Sequence, residues 1–219
     1  MMRDSSVVVA GIDVGGAKKG FHGVALANGR YLAQQASLEA ERMAAWCKEI
    51  GAMAVGVDAP SRWSETGRMR PAERELARRG ISCFATPRLE TALSHPFYAW
   101  MLQGAALYRA LERDYPLYDG SQPAGTWATG MRTCFETFPQ AIACALAGTA
   151  VSAKNKGPIR RALLARAGID PAAFGSIDMV DAALCALAAH RMQLGEVSRF
   201  GEAGSGFIVI PALEMAATR

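Results

Sequence analysis

Four acidic residues occupy positions from which carboxylates could act together, although they lie far apart in the chain. Asp13 and Asp58 each end a short apolar run that reads as a buried strand. Glu136 lies in a third strand-like stretch, and Asp181 lies in the first turns of a long helix near the end of the chain. Side chains at the carboxyl ends of strands in an open α/β sheet gather in one crevice, which is the usual place for a ligand.

Carboxylates that gather in one crevice need a cation or a shared proton, because like charges at close range repel. A set of ligands made only of oxygen atoms favours Mg²⁺ or Mn²⁺. Two such ions activate water and stabilise the leaving oxygen of a phosphodiester. Asp178 precedes Asp181 by three residues, so it shares a helix face with it and is a further candidate ligand. The acids therefore predict a metal centre that hydrolyses phosphodiesters.

Each acid except the last also has an ordinary structural explanation. Asp13 precedes a glycine turn and Asp58 precedes Ala-Pro, so either could cap a turn. Asp178 could cap the start of its helix. The direction of Glu136 depends on strand register, because a shift of one residue would turn it outward. Asp181 is harder to explain, since apolar residues surround it on a helix face that should be buried.

The elements that would position these acids describe a mixed α/β domain. The Asn28-Gly29 pair between two strand-like runs predicts a β-hairpin, so the chain should open with three antiparallel strands. Helices and further strands are predicted by apolar periodicity and capping signals. The expected helices span about 37–50, 71–79, 96–113, 140–147 and 158–167, with a long helix starting near 176, and the expected later strands span 52–58, 133–139 and 206–211.

Length and composition predict one domain over residues 1–219, with a helical and loop insertion around 61–130. The net charge of +4 permits a nucleic-acid partner without requiring one. The N-terminus does not read as a signal peptide and no apolar stretch reaches the roughly 18 residues of a membrane helix, so we expect a cytoplasmic protein without membrane contact. The five cysteines are scattered and form neither a disulfide pattern nor a zinc pattern.

Two basic stretches could contact phosphate groups. The first is rich in arginine and spans 62–88, and the second spans 154–166. Solvated helix faces explain such stretches equally well. The basic residues therefore allow nucleic-acid binding but do not demonstrate it.

Six ordered blocks of the sequence carry a resemblance to a known family. In order and spacing they are similar to the bacterial and archaeal predicted RNase H-like nucleases, a domain-of-unknown-function group related to RuvC-type resolvases. The resemblance covers about residues 7–211. The blocks are GIDVGGAKKGFHGVAL, VGVDAPSRW, RPAERELARRGI, FETFPQ, KNKGPIRRALL and IDMVDAALCALAA.

The resemblance implies an RNase H-like fold, with a five-stranded mixed sheet of order 3-2-1-4-5, the first three strands antiparallel, and helices on both faces. It implies that Asp13 on strand 1 bridges two metal ions and that Asp58 on strand 4 is a second ligand. Asp181, joined by Asp178, would be the helix acid, and Glu136 would sit beside them on strand 5. RuvC-type enzymes more often carry a glutamate on strand 4, so the side chain of Asp58 is shorter than the one usual at that position.

The resemblance also implies roles for basic residues. Glu73 and Arg74 fill the places of an acid and an arginine in the family's arginine-rich block. Lys154, Lys156 and Arg160 would face the phosphate backbone of DNA or RNA. Lys156 would also offset the charge that develops on the phosphate during hydrolysis.

Three functions remain open from the sequence. The first is a metal-dependent nuclease that uses two Mg²⁺ or Mn²⁺ ions. The second is a non-catalytic nucleic-acid-binding protein of the same fold. The third is a nucleotide-binding protein of the actin and sugar-kinase superfamily, which shares the first hairpin and its DxGG turn but needs two such domains. Resolvases of this type usually act as dimers, so the resemblance also allows a homodimer.

Overall fold

The computed structural model describes residues 6–121 and 131–213. It has a mixed α/β architecture with a seven-stranded sheet of order β3-β2-β1-β4-β5-β7-β6. The strands are β1 (Val8–Val14), β2 (Phe21–Ala27), β3 (Arg30–Ser37), β4 (Ala54–Asp58), β5 (Thr133–Glu136), β6 (Val197–Glu202) and β7 (Gly206–Pro211).

Helices cover both faces of this sheet. The final long helix packs against the central strands on one face, and the first helix packs with the fourth on the other. The helices are α1 (Ala40–Glu49), α2 (Pro71–Arg78), α3 (Leu89–Ser94), α4 (Ala99–Leu111), α5 (Pro139–Ala147), α6 (Lys156–Arg166) and α7 (Ile177–Gln193), with 3₁₀ turns at Pro96–Tyr98 and Pro171–Ala173.

The first three strands form the expected antiparallel meander. Asn28 and Gly29 make the tight turn between β2 and β3, with positive φ values of 47° and 77°. Such values suit asparagine and glycine, which is why this pair is so common in two-residue hairpins. Strands β4 and β5 then pair in parallel beyond β1.

The sheet is larger than the five strands expected. Beyond β5, strand β7 pairs in parallel with β5, and β6 pairs with β7 in an antiparallel hairpin that forms the edge. The stretch at 206–211 is therefore an interior strand, and β6 is an additional one. Phe200 is the only buried residue of β6, so this strand has little apolar alternation by which it could be predicted.

Helix α7 crosses the middle of the sheet at very short range. Residues 180–189 are all buried, as expected for a helix that is apolar on every side. Gly11 of β1 and Gly56 of β4 are neighbours in register beneath it. A Cβ atom at Gly11 would lie 2.0 Å from the backbone nitrogen of Ala186, and one at Gly56 would lie 2.7 Å from the carbonyl oxygen of Cys185. The two glycines therefore let α7 rest directly on the strands.

The segment between β4 and β5 covers the range for which an insertion was expected. It includes α2, α3 and α4, and the part at 122–130 lies outside the described residues. In the two described ranges, no helix combines the length and the apolar character needed to cross a bilayer.

The short distance between α7 and the sheet leads to a stability prediction. Replacing Gly11→Ala should lower the free energy of unfolding by about 3 kcal/mol, since a methyl group would collide with helix backbone that cannot rotate away. The melting temperature should fall by roughly 6–12 °C in thermal unfolding followed by circular dichroism. The matched control is Gly175→Ala, because no atom lies within 4 Å of a Cβ at that position. Equal melting temperatures for the two variants would contradict the close seating of α7.

Candidate functional site

Asp13 and Asp58 stand side by side at the carboxyl ends of the two central parallel strands. They are partners in the register of β1 and β4. Partners in a parallel pair point to the same face of a sheet, because side chains alternate with a period of two. Both aspartates therefore lie on the face that α7 covers.

Helix α7 brings a third carboxylate to this place. Ser176 caps the helix by accepting a hydrogen bond from the backbone N–H of Met179, at 3.1 Å. Asp178 then falls in the first turn, and Asp181 follows one turn later with 3% of its surface exposed. One pocket of about 320 Å³ is lined by the carboxylates Asp13, Asp58, Asp178 and Asp181 and by the cations Lys19, Lys156 and Arg160.

The two strand aspartates resist ionisation. Burial, followed by the negative charges of Asp181 and Asp178, raises the pKa of Asp13 from 3.8 to about 7. Burial also raises the pKa of Asp58 well above its ordinary value, and the charges of Asp13 and Asp181 add to this effect. Lys156 acts in the opposite direction on the pKa of both groups. Burial therefore disfavours the charged form of both strand aspartates, and the neighbouring carboxylates add to that effect.

Basic side chains are paired with the two helix aspartates. Lys156 lies 3.1 Å from Asp181, and the guanidinium of Arg160 donates to the other oxygen of the same carboxylate. Lys19 lies 3.1 Å from Asp178. Within the described residues, by contrast, no group donates a hydrogen bond to the carboxylate of Asp13 or Asp58. The oxygens of these two aspartates are the ones left for a ligand.

The residues expected to contact phosphate differ in exposure. Lys154 and Arg74 are exposed, and Arg74 donates to the backbone oxygen of Met69 at 2.7 Å. The side chain of Lys156 is 42% exposed at the pocket. Arg160 is buried and also donates to the amide oxygen of Gln140, at 3.1 Å. It is thus held inside the protein as the partner of an acid, which differs from the expected outward contact with a nucleic-acid backbone.

Glu136 does not join the other acids, and this corrects its expected position beside them. Its partner in register is Val57, the residue before Asp58, so its side chain points to the opposite face of the sheet. Arg70 donates two hydrogen bonds to its carboxylate, at 2.9 and 2.5 Å. Ser61 donates two more, from its backbone N–H at 2.8 Å and its hydroxyl at 2.9 Å.

Arg70 is the centre of a buried network that sequence reasoning missed. Its side chain is 2% exposed and lies between two carboxylates, those of Glu73 and Glu136. Glu73 also accepts a short hydrogen bond of 2.5 Å from the hydroxyl of Thr86. The network joins the loop after β4 and the start of α2 to the end of β5. The local signal was Glu73 at the third position of α2, where its carboxylate accepts a hydrogen bond from the backbone N–H of Arg70 at 2.9 Å.

The profile of a family described as "Protein of unknown function (DUF429)" matches residues 11–204. The chain belongs to the DUF429 family. No curated protein and no solved structure matches it. The matched span contains Asp13, Asp58 and Asp181, and the family description states no activity. The RNase H-like nuclease resemblance therefore stays a prediction.

Some residues of the pocket in this DUF429 protein suit a divalent cation, and others do not. Asp13 and Asp58 offer oxygen ligands without partners among the described residues, and burial, followed by the charges of neighbouring aspartates, raises the pKa of both. In the described ranges, however, no three or more histidine, cysteine, aspartate or glutamate side chains are grouped so that they could hold a metal ion. Asp181 could become a third ligand only if it released Lys156 or Arg160. The expectation of Mg²⁺ or Mn²⁺ stays a prediction.

The raised pKa of Asp13 predicts how stability depends on pH in the absence of metal. The folded protein keeps this proton up to about pH 7, whereas the unfolded chain releases it near pH 3.8, so the native fold loses stability as pH rises between these values. Asp13→Asn removes that loss. In EDTA at pH 8, it should raise the free energy of unfolding by on the order of 2 kcal/mol and the melting temperature by about 4–8 °C.

The gain from Asp13→Asn should shrink toward zero at pH 4, where native Asp13 is already protonated. The control is Glu202→Gln, which neutralises an exposed acid on β6 and should give the same small change at both pH values. A variant at Asp13 that is no more stable than the native protein at pH 8 would contradict the raised pKa.

Proposed function

We propose that this chain has an RNase H-like fold and is a metal-dependent nuclease that hydrolyses phosphodiester bonds. The observation that carries the proposal is the side-by-side position of Asp13 and Asp58 with Asp181 above them. Three carboxylates from two central strands and the last long helix are the arrangement that the resemblance implies. The order of the first five strands and their directions also support the proposal.

The proposed cofactor is Mg²⁺ or Mn²⁺. Asp13 and Asp58 would hold it, and Asp181 would join them after exchanging a basic partner. When bound, such an ion supplies Lewis-acid chemistry that activates water as a nucleophile and offsets charge on the phosphate. A two-ion arrangement would draw its ligands from these three aspartates and Asp178, since Glu136 is bound by Arg70 on the other face.

The basic residues of the pocket suit a phosphate group. Lys19 and Lys156 are 62% and 42% exposed, so an oxyanion entering the pocket can reach both ammonium groups. The Nε atom of Arg160 is a buried donor for which the described residues supply no acceptor. These cations would bind the negative phosphate and release the aspartates from their ion pairs. In the proposed complex the phosphate would take the place of the aspartates beside the cations. The metal ion would take the place of the cations beside the aspartates.

The protonation of Asp13 would limit the reaction at low pH. A protonated carboxyl is a poor metal ligand, so binding of a cation must release the proton. Because the pKa of Asp13 is raised to about 7, both affinity for Mn²⁺ and hydrolysis should increase as pH rises through 7.

A second candidate is a non-catalytic nucleic-acid-binding protein of the same fold. One specific observation favours it: the ion pairs of Asp181 with Lys156 and Arg160 already neutralise the helix carboxylate without a metal ion. In such a protein the basic groups would be stabilised by the aspartates and the pocket would bind phosphate without cleaving it.

The decisive change is Asp13→Asn, which keeps the size of the side chain and removes its charge. We expect native protein with Mg²⁺ or Mn²⁺ at pH 8 to cleave labelled DNA or RNA oligonucleotides, and the variant to be slower by at least about a hundredfold. Calorimetric titration with Mn²⁺ should show weaker binding by the variant, independently of any cleavage. Oligonucleotide binding should persist, because the cations of the pocket remain.

The control for this experiment is Glu202→Gln, which should match the native protein in metal binding and cleavage. Native protein that binds Mn²⁺ no better than Asp13→Asn, and cleaves no substrate, would refute the nuclease. Oligonucleotide binding under the same conditions would then favour the non-catalytic binder.

A further inference from the structure

A cluster of four aromatic rings, three of them exposed and one half-buried, lies between α2 and α4. Its members are Phe84, His95, Phe97 and Tyr98, which we call the ring cluster. Phe84 is 63% exposed and Phe97 is 50% exposed. Their centroids lie 5.5 Å apart at an interplanar angle of 71°, and those of Phe97 and Tyr98 lie 5.1 Å apart at 84°.

The backbone that carries the ring cluster is held in place by buried groups. The segment around Phe84 is tied to α2 on both sides, by the hydrogen bond from Ile81 to Leu76 and by those from Thr86 to Glu73. His95 accepts a hydrogen bond from the backbone N–H of Phe97, at 3.2 Å, which shapes the turn before α4. The exposed rings are therefore presented from an anchored surface.

The ring cluster adjoins, through Phe84, a small cavity that shares lining residues with the aspartate pocket. Phe84 lines a small cavity together with Trp100 and Asp58. Trp100 and Asp58 also line the pocket that contains Asp13 and the basic residues. The two cavities thus share Trp100 and Asp58, and Phe84, which contacts Phe97, lies at the smaller cavity.

The geometry of the rings suits flat partners. An edge-to-face pair occupies one ring face, and Phe84 has one ring partner among the described residues, so it retains a face on which another ring can lie. Nucleobases stack on aromatic side chains with little regard to sequence. Bases inside a duplex have both faces covered by their neighbours, so only unpaired bases could use this surface.

We propose that the ring cluster binds unpaired bases of a nucleic-acid strand whose phosphate enters the aspartate pocket. This inference rests on the proposed function, because it names single-stranded or locally unpaired nucleic acid as the substrate class of the same site. The positive charges of Lys19 and Lys156 attract the phosphate, and the rings hold the adjoining bases. The cations of the pocket suit the phosphate of a nucleotide, and the ring faces suit its base. An apolar surface between two copies of the chain would need only the rings.

The test replaces rings by leucine, which keeps apolar bulk and removes the flat π face. The double variant Phe84→Leu/Phe97→Leu should bind a single-stranded oligonucleotide containing 2-aminopurine at least about tenfold more weakly than the native protein, measured by fluorescence anisotropy in EDTA. The quenching of 2-aminopurine that reports stacking should be lost. Affinity for a duplex of the same sequence should stay unchanged. Each single variant should show an intermediate loss, which keeps the test valid if the double variant folds poorly.

The matched control is Tyr31→Leu, which removes an exposed ring from β3, the far edge strand of the sheet. It should leave single-strand affinity and quenching at native values. Light scattering on each variant reports the mass of the particle. A drop in mass without a change in single-strand affinity would overturn the proposal and identify the ring cluster as an interface between copies.

The remaining outcomes separate this inference from the nuclease proposal. The native protein could bind single strands through the rings and yet cleave nothing with Mg²⁺ or Mn²⁺. That result would support the ring cluster as a binding surface and refute the nuclease proposal. If the leucine variants cleave the substrate and keep the native affinity for single strands, the nuclease proposal stands and the ring-cluster proposal is overturned. Native protein without affinity for single strands, or variants that lose single-strand and duplex affinity equally, would also overturn it.

Discussion

The close approach of α7 to the two central strands is the constraint on which the site depends. Gly11 and Gly56 place no side chain beneath the helix at their own positions, and the small residues of α7 allow its backbone to approach them closely. This contact sets the height at which Asp181 stands above Asp13 and Asp58. A methyl group beneath the helix would move one carboxylate relative to the other two. The packing of α7 on the sheet therefore also sets the relative positions of the three carboxylates.

Charge balance is the second property of the site. The pocket gathers four aspartates and three cations, and burial together with the neighbouring carboxylates raises the pKa of the two strand aspartates. Lys156, Arg160 and Lys19 neutralise the helix aspartates at close range. Those same cations are the groups that a phosphate would attract. The structure shows the state with lysine and arginine on the acids. Under the proposed function a second state would have a divalent cation on the acids and phosphate on the lysines.

Sequence reasoning located the strand aspartates because an acid that ends an apolar run has few positions open to it in an α/β sheet. It located Asp181 because a charge inside an apolar helix needs a partner. It misplaced Glu136, since the direction of a side chain in a strand of four residues depends on register with neighbouring strands. Arg160 and Asp181, which pair in the structure, are 21 residues apart in the chain. The close contact of α7 with the sheet requires two glycines from different strands. Contacts of this kind are set by tertiary packing, so local pattern does not reveal them.

The most direct test of the account is a crystal structure of the protein grown at pH 8 with Mn²⁺, with the ions located by anomalous scattering. The account predicts manganese bound directly to oxygens of Asp13 and Asp58, with Asp181 turned toward the ion and Lys156 displaced from it. A map at saturating Mn²⁺ with no anomalous peak at these aspartates, and with Lys156 and Arg160 still paired to Asp181, would contradict it.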